Sequence, residues 1–129
     1  MNSGERGATT GALWVSHKGK RVFLIDFSRS DITAINATIA QAKPLITSEP
    51  QLSILCLVDT TDSKFDIEIS KTLQNFSEHN KPYIKMTALV GVEGLQKVIY
   101  YGVLMFTKRT NLMLKNSRGE ALDWLAAVP

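Results

Sequence analysis

Residues 52–63, LSILCLVDTTDS, decide how the chain folds. The first seven are almost all apolar and branched, which suits a strand buried on both faces of a parallel sheet. Asp59 ends the run. Thr60, Thr61, Asp62 and Ser63 then supply short polar side chains that bond to nearby backbone N–H groups, and an amphipathic helical pattern starts at Phe65. Strand, polar turn and helix thus follow one another. In an open α/β sheet such turns lie at the carboxyl ends of the strands, where ligands and partners dock, so this turn is the first candidate site.

Upstream, residues 12–16 and 20–26 read as two short strands around a Lys18-Gly19 turn, a hairpin that makes this pair antiparallel. Ser30 or Asp31 can cap a helix carrying Ile32, Ile35, Ile39 and Ala42 on one stripe. Pro44 either ends that helix near Lys43 or kinks it and lets it run to about Thr47.

Downstream, a helix is expected over residues 65–79, with Phe65, Ile69, Leu73 and Phe76 inward, Ser63 as its cap and Asn80 as a left-handed terminator. Residues 83–90 form the next strand. Gly91-Val92-Glu93-Gly94 opens a helix with Leu95, Val98, Ile99, Val103 and Phe106 on one face, and residues 111–114 make a short edge strand. Ser117 and Glu120 are spaced as a capping box for a last helix that docks through Ala121, Trp124, Leu125 and Val128. The order is β-β-α-β-α-β-α-β-α. The expected fold is α/β, a mostly parallel five-stranded sheet with four helices, as one domain over residues 11–129 behind a loose tail over residues 1–10.

At 129 residues the chain can bury a core without a metal or disulfide. Cys56 is the single cysteine, which rules out an internal disulfide and a cysteine metal site. No apolar run approaches the roughly 18 residues of a membrane span, and the N-terminus lacks the basic start and apolar region of a signal peptide. A cytoplasmic protein with no membrane span is expected. The net charge of +3 reflects Lys18, Lys20 and Arg21 at one turn, and Lys108, Arg109, Lys115 and Arg118 near the C-terminus. Without interleaved aromatics these read as a solvated positive face, and no nucleic-acid partner is expected.

Four segments, GKRVFLIDFS (19–28), LCLVDTTDSKF (55–65), NKPYIKMTALVGVEGLQKVI (80–99) and EALDWLA (120–126), together with the element order, resemble the STAS domain. This is the SpoIIAA-like fold of bacterial anti-sigma factor antagonists, which a lipid-binding SEC14-like group shares. The chain is most similar to uncharacterised bacterial STAS-like proteins, and the resemblance covers about residues 12–128. In the antagonists an Asp-Ser-Ser-Gly type sequence ends the third strand, and a partner kinase phosphorylates its second Ser. The resemblance places Asp59 on the Asp, Thr60 on the first Ser and Thr61 on the phosphoacceptor. Here both serines are threonines, Asp62 replaces the Gly, and two more residues precede the helix.

The resemblance implies a non-enzymatic signalling module, without cofactor, that acts by protein contact at residues 59–63. Its partner would be a kinase or an anti-sigma-like regulator. The alternative it implies is a small apolar ligand or lipid, held in a groove lined by residues such as Phe65, Ile69, Tyr100 and Phe106.

Secondary candidates lie at the same rim. Asp26 and Asp59 end neighbouring strands and can face each other, an arrangement that raises one pKa or holds a hard cation. Gly91 and Gly94 precede a helix N-terminus, where turn geometry is the simpler reading. His17 and His79 lack companions and read as solvent-facing, while Cys56 reads as an inert core thiol. Tyr100, Tyr101, Met105 and Met113, if exposed, mark a surface for self-association as a homodimer or for a partner.

Overall fold

The computed structural model describes residues 11–129; the expected tail over residues 1–10 lies outside them. Strands β1 (Gly11–His17), β2 (Lys20–Asp26), β3 (Ile54–Asp59), β4 (Ile84–Val90) and β5 (Leu112–Lys115) form one sheet in sequential order. β1 is antiparallel to β2 and every other pairing is parallel. The hairpin needs two residues at positive φ, and Lys18 (51°) and Gly19 (82°) supply them.

Three helices, α1 (Ile32–Thr47), α2 (Ile69–Asn80) and α3 (Leu95–Thr107), cover one face of the sheet. Phe23, Ile25, Cys56 and Ile84 meet Ile35, Ile39, Phe76, Ile99 and Val103 there. The fourth helix, α4 (Arg118–Ala126), lies alone on the other face and packs Ala121 and Leu125 against Val22, Leu24, Leu57 and Val90. Strands β2 and β3 are apolar on both sides because both sides are covered.

α1 starts at Asp31, whose side chain accepts from the Ala34 N–H at 2.9 Å, and it runs through Pro44 to Thr47. α4 starts at Ser117, which accepts from the Glu120 N–H at 3.1 Å, while Glu120 reaches back to the Asn116 N–H at 2.7 Å.

Three expectations need correction. α2 begins at Ile69 rather than Phe65, and the Asp66 carboxylate, not Ser63, accepts the Ile69 N–H at 3.0 Å. The apolar spacing continues through Phe65, but Phe65 packs on the core from the loop ahead of the helix. Asn80 is the last helical residue and is not left-handed; Lys81 follows at φ −50°. On α3 the buried stripe is Ile99, Val103 and Thr107, which leaves Leu95, Val98 and Phe106 outside.

Candidate functional site

The carboxyl ends of β2 and β3 carry the same local device twice. Asp26 and Asp59 are direct partners in the β2–β3 register, and each is followed two residues later by a hydroxyl residue. Asp26 Oδ1 accepts the Ser28 N–H at 2.9 Å and the Ser28 hydroxyl at 2.6 Å. Asp59 Oδ1 accepts the Thr61 N–H at 2.9 Å and the Thr61 hydroxyl at 2.6 Å. Each aspartate thereby folds its own turn, as short acidic side chains do when they bond to the backbone two residues on.

The outer oxygens of both aspartates converge on one side chain. Arg118, in the first turn of α4, donates from Nε to Asp59 Oδ2 at 2.6 Å and from Nη2 to Asp26 Oδ2 at 2.9 Å. A pair expected to raise a pKa or hold a hard cation instead shares a guanidinium from the opposite layer. Burial works against the charged form of Asp59, but the Thr61 hydroxyl and amide, together with Arg118, outweigh it and hold the carboxyl below its ordinary value. Burial also opposes the charge on Arg118, yet the two carboxylates raise its pKa. Among the described residues no group of three or more His, Cys, Asp and Glu is placed to hold a metal ion.

The five residues of the expected contact turn differ in their roles. Asp59 and Thr60 are buried, and the Thr60 hydroxyl donates to the Val90 carbonyl at 3.0 Å. Thr61 is half-buried and Asp62 is exposed, at φ 56°. Ser63 shares its one hydroxyl proton between the Phe27 and Thr60 carbonyls, each at 2.7 Å, and so ties the β2 turn to the β3 turn instead of capping α2. Gly91 backs this turn: at φ +79°, a Cβ there would lie 2.5 Å from the Thr61 nitrogen. Gly94 has open space around it and sets the start of α3. Gln96, one residue into α3, donates to the carbonyls of Thr60 (3.3 Å) and Ser63 (3.1 Å) and fastens the helix to the turn. With Ser28, Arg29 and Arg118 the rim encloses an open polar cleft of about 420 Å³.

A second cavity, of about 100 Å³, lies on the other face between the sheet and helices α2 and α3. Phe65 and Tyr100 line it as expected, but Ile69 is core, and Phe106 stands outside at 52% exposure. Arg109 also lines it, 8% exposed, so it does not belong to the solvated positive face expected of the C-terminal basic residues. Cys56 borders the cavity with its thiol pushed up to about 12, chiefly by burial, and is inert at neutral pH.

Sequence reasoning missed Arg118, Gln96 and Arg109. The repeated Asp-x-Ser/Thr at two strand ends was the available signal that a shared cation was required; nothing local pointed to a residue far along the chain. The histidines are peripheral: His17 pairs with Asp123 at 2.7 Å and His79 with Asn80 at 2.9 Å. No helix among the described residues is long and apolar enough to cross a membrane. Comparison with protein-family models, curated proteins and solved structures gave no match for this chain.

Proposed function

We propose that the protein is a non-enzymatic, STAS-like regulatory module that acts by protein contact at the turn after β3, with Thr61 as the residue a partner kinase modifies. One observation carries this reading: Thr61 is a half-buried hydroxyl residue beside exposed Asp62, on a turn that is otherwise held in place. Asp59 and Thr60 lie buried beneath it, Gly91 and Ser63 brace it, and Gln96 links it to α3. The element order and the resemblance in residues 19–28 and 55–65 support the SpoIIAA-like assignment.

The geometry also gives modification a mechanical consequence. The Thr61 hydroxyl now donates to Asp59. Transfer of a phosphoryl group from a nucleoside triphosphate to Thr61 Oγ1 removes that proton and sets a dianion beside the Asp59 carboxylate. Arg118, which bridges Asp26 and Asp59, is then drawn toward the phosphate, and its link between α4 and the strand ends loosens. The contact surface continues onto α3, where Val98, Tyr101 and Met105 are more than half exposed and Phe106 lies beside them. Tyr100 is half-buried instead, and Met113 is exposed on β5.

The test is incubation of wild type and Thr61→Ala with native extract and ATP, followed by site mapping. Captured proteins are then compared between wild type and Thr61→Glu. Modification of wild type alone, with a partner gained or lost in Thr61→Glu, is expected. An unmodified Thr61 and identical captured sets would overturn the proposal.

A further inference from the structure

Arg109 is the most deeply buried cation on the α1–α3 side of the sheet, yet no carboxylate among the described residues lies within 4.0 Å of its guanidinium. Its contacts are all to neutral oxygens: Nε to Asn111 at 3.2 Å, Nη1 to Ser77 at 3.1 Å and Nη2 to Thr87 at 3.3 Å. A guanidinium carries five N–H donors, so two have no partner among the described residues, and the bonds it makes are long for a charged donor. Cys56 does not neutralise it, because the buried thiol keeps its proton. Burial lowers the Arg109 pKa, and Cys56 and Glu78, which raise it, do not offset that. Buried charges are ordinarily paired, so this one is incomplete.

Arg109 borders the apolar cavity beneath α2 and α3. Cys56 and Thr87 are register partners, which fixes the guanidinium at their level of the sheet. From there Val58 and Thr60 line the cavity toward the rim, where Phe65, Val92 and Tyr100 continue it. Asn80, 5% exposed, lines the same space, and its amide nitrogen makes no hydrogen bond among the described residues. The space thus has two unsatisfied donor groups and otherwise mostly hydrocarbon walls.

We propose that this cavity binds a small apolar carboxylic acid, with the carboxylate on Arg109 and Asn80 and the hydrocarbon part among Val58, Phe65 and Tyr100. Charge selects the head, since a carboxylate matches the two free guanidinium donors. Volume limits the tail: about 100 Å³ is below the roughly 150 Å³ of an engineered cavity that holds benzene, so the occupant is a short branched or single-ring acid, seated partly in the cavity mouth. Its anchor, Arg109, lies on the opposite face of the sheet from α4 and Arg118, and only Thr60 and Gln96 are shared with the rim, so the anion site rests on observations separate from the function proposed there.

Benzoate and benzyl alcohol, titrated into the isotope-labelled full chain and followed by NMR, test this. Benzoate should bind about tenfold more tightly than the alcohol, with the largest shifts at the Arg109 Nε–H and the Leu73 and Thr87 amides. Arg109→Gln should abolish that preference while the alcohol still binds, and Leu73→Trp should exclude both. Equal affinity of the two probes would leave an apolar cavity and overturn the anion site. Benzoate shifts confined to Arg29 and Arg118 would place the anion at the rim and equally overturn it, as would binding of neither probe. Should Arg109→Gln fail to fold, wild type still decides the question. Its benzoate affinity must fall as the acid is protonated while its alcohol affinity stays flat, and a flat benzoate response would refute the proposal.

Discussion

Two arginines from the C-terminal part of the chain meet the sheet from opposite sides and end in opposite electrostatic states. Arg118 is 42% exposed at its side chain and holds two carboxylates; Arg109 is buried and holds none among the described residues. The exposed one closes a network, and the buried one leaves a charge open. Solvation alone would favour the reverse, because a guanidinium in water needs no partner and one in a core does. Arg118 is recruited because Asp26 and Asp59, side by side and almost wholly buried, repel each other unless a cation lies between them. Arg109 is placed by the short connection from α3 to β5, and three neutral partners hold it there.

The most damaging change to the closed region should be Gly91→Ala. The substitution adds a positive-φ penalty to a backbone clash with Thr61, a loss of about 3 kcal/mol in urea melts. A loss below about 1 kcal/mol would show that the turn yields easily and is not a rigid platform.

Arg118→Ala should come next. It strands two buried carboxylates and should cost about 2 kcal/mol, less than a fully buried pair loses because the guanidinium is partly in water. The pH dependence follows from Asp59. Its folded pKa lies below the unfolded value of about 3.9, so the folded state binds fewer protons. Its contribution is present above that value and is lost as pH falls through the folded pKa. The stability gap between wild type and Arg118→Ala should therefore narrow as pH falls through the folded pKa of Asp59, and a gap that stays constant with pH would show that Arg118 does not hold the pair.

Thr61→Ala and Ser63→Ala should each cost about 1 kcal/mol. The first leaves Asp59 Oδ1 with the Thr61 amide alone; the second removes the hydroxyl that ties the Phe27 and Thr60 carbonyls together. A contrast between a costly Ser63 and a neutral Thr61 would follow if only Ser63 were structural, but both hydroxyls are bonded within the turn. Equal losses by denaturant melts support this arrangement, and a neutral Thr61→Ala would free that residue for recognition alone.

The smallest effect should fall on the open charge. Arg109→Met removes an unpaired buried cation while stranding neutral hydroxyl and amide groups, and stability should stay within about 1 kcal/mol of wild type. A loss as large as that of Arg118→Ala would mean that Arg109 is a structural member of the core, and the contrast between the two arginines would collapse.

Much of the fold could be read from local pattern. Residues 54–58 announced a strand covered on both faces, although Leu52 and Ser53, read as its start, lie exposed ahead of it. Lys18-Gly19 announced a hairpin, and Ser117 with Glu120 the start of α4, because strand burial, turn conformation and capping each depend on residues a few positions apart. The turn after β3 was legible for the same reason. What local pattern left open was the choice between equivalent faces and partners. The α3 sequence offers two overlapping apolar stripes, and packing against α2 and the sheet selected Ile99, Val103 and Thr107 over Leu95, Val98 and Phe106. Asp66 displaced Ser63 as the residue that serves the α2 N-terminus, since Ser63 was already committed to two carbonyls.

The sequence by itself determined where the two aspartates stand and which hydroxyls serve them, since each pair is only two residues apart. The tertiary structure alone decided that Arg118 neutralises them and that Arg109 goes unpaired. Charges interact through space across elements far apart in the chain, and only the packing of α4 on one face and the α3–β5 connection on the other fixes which cation meets a carboxylate.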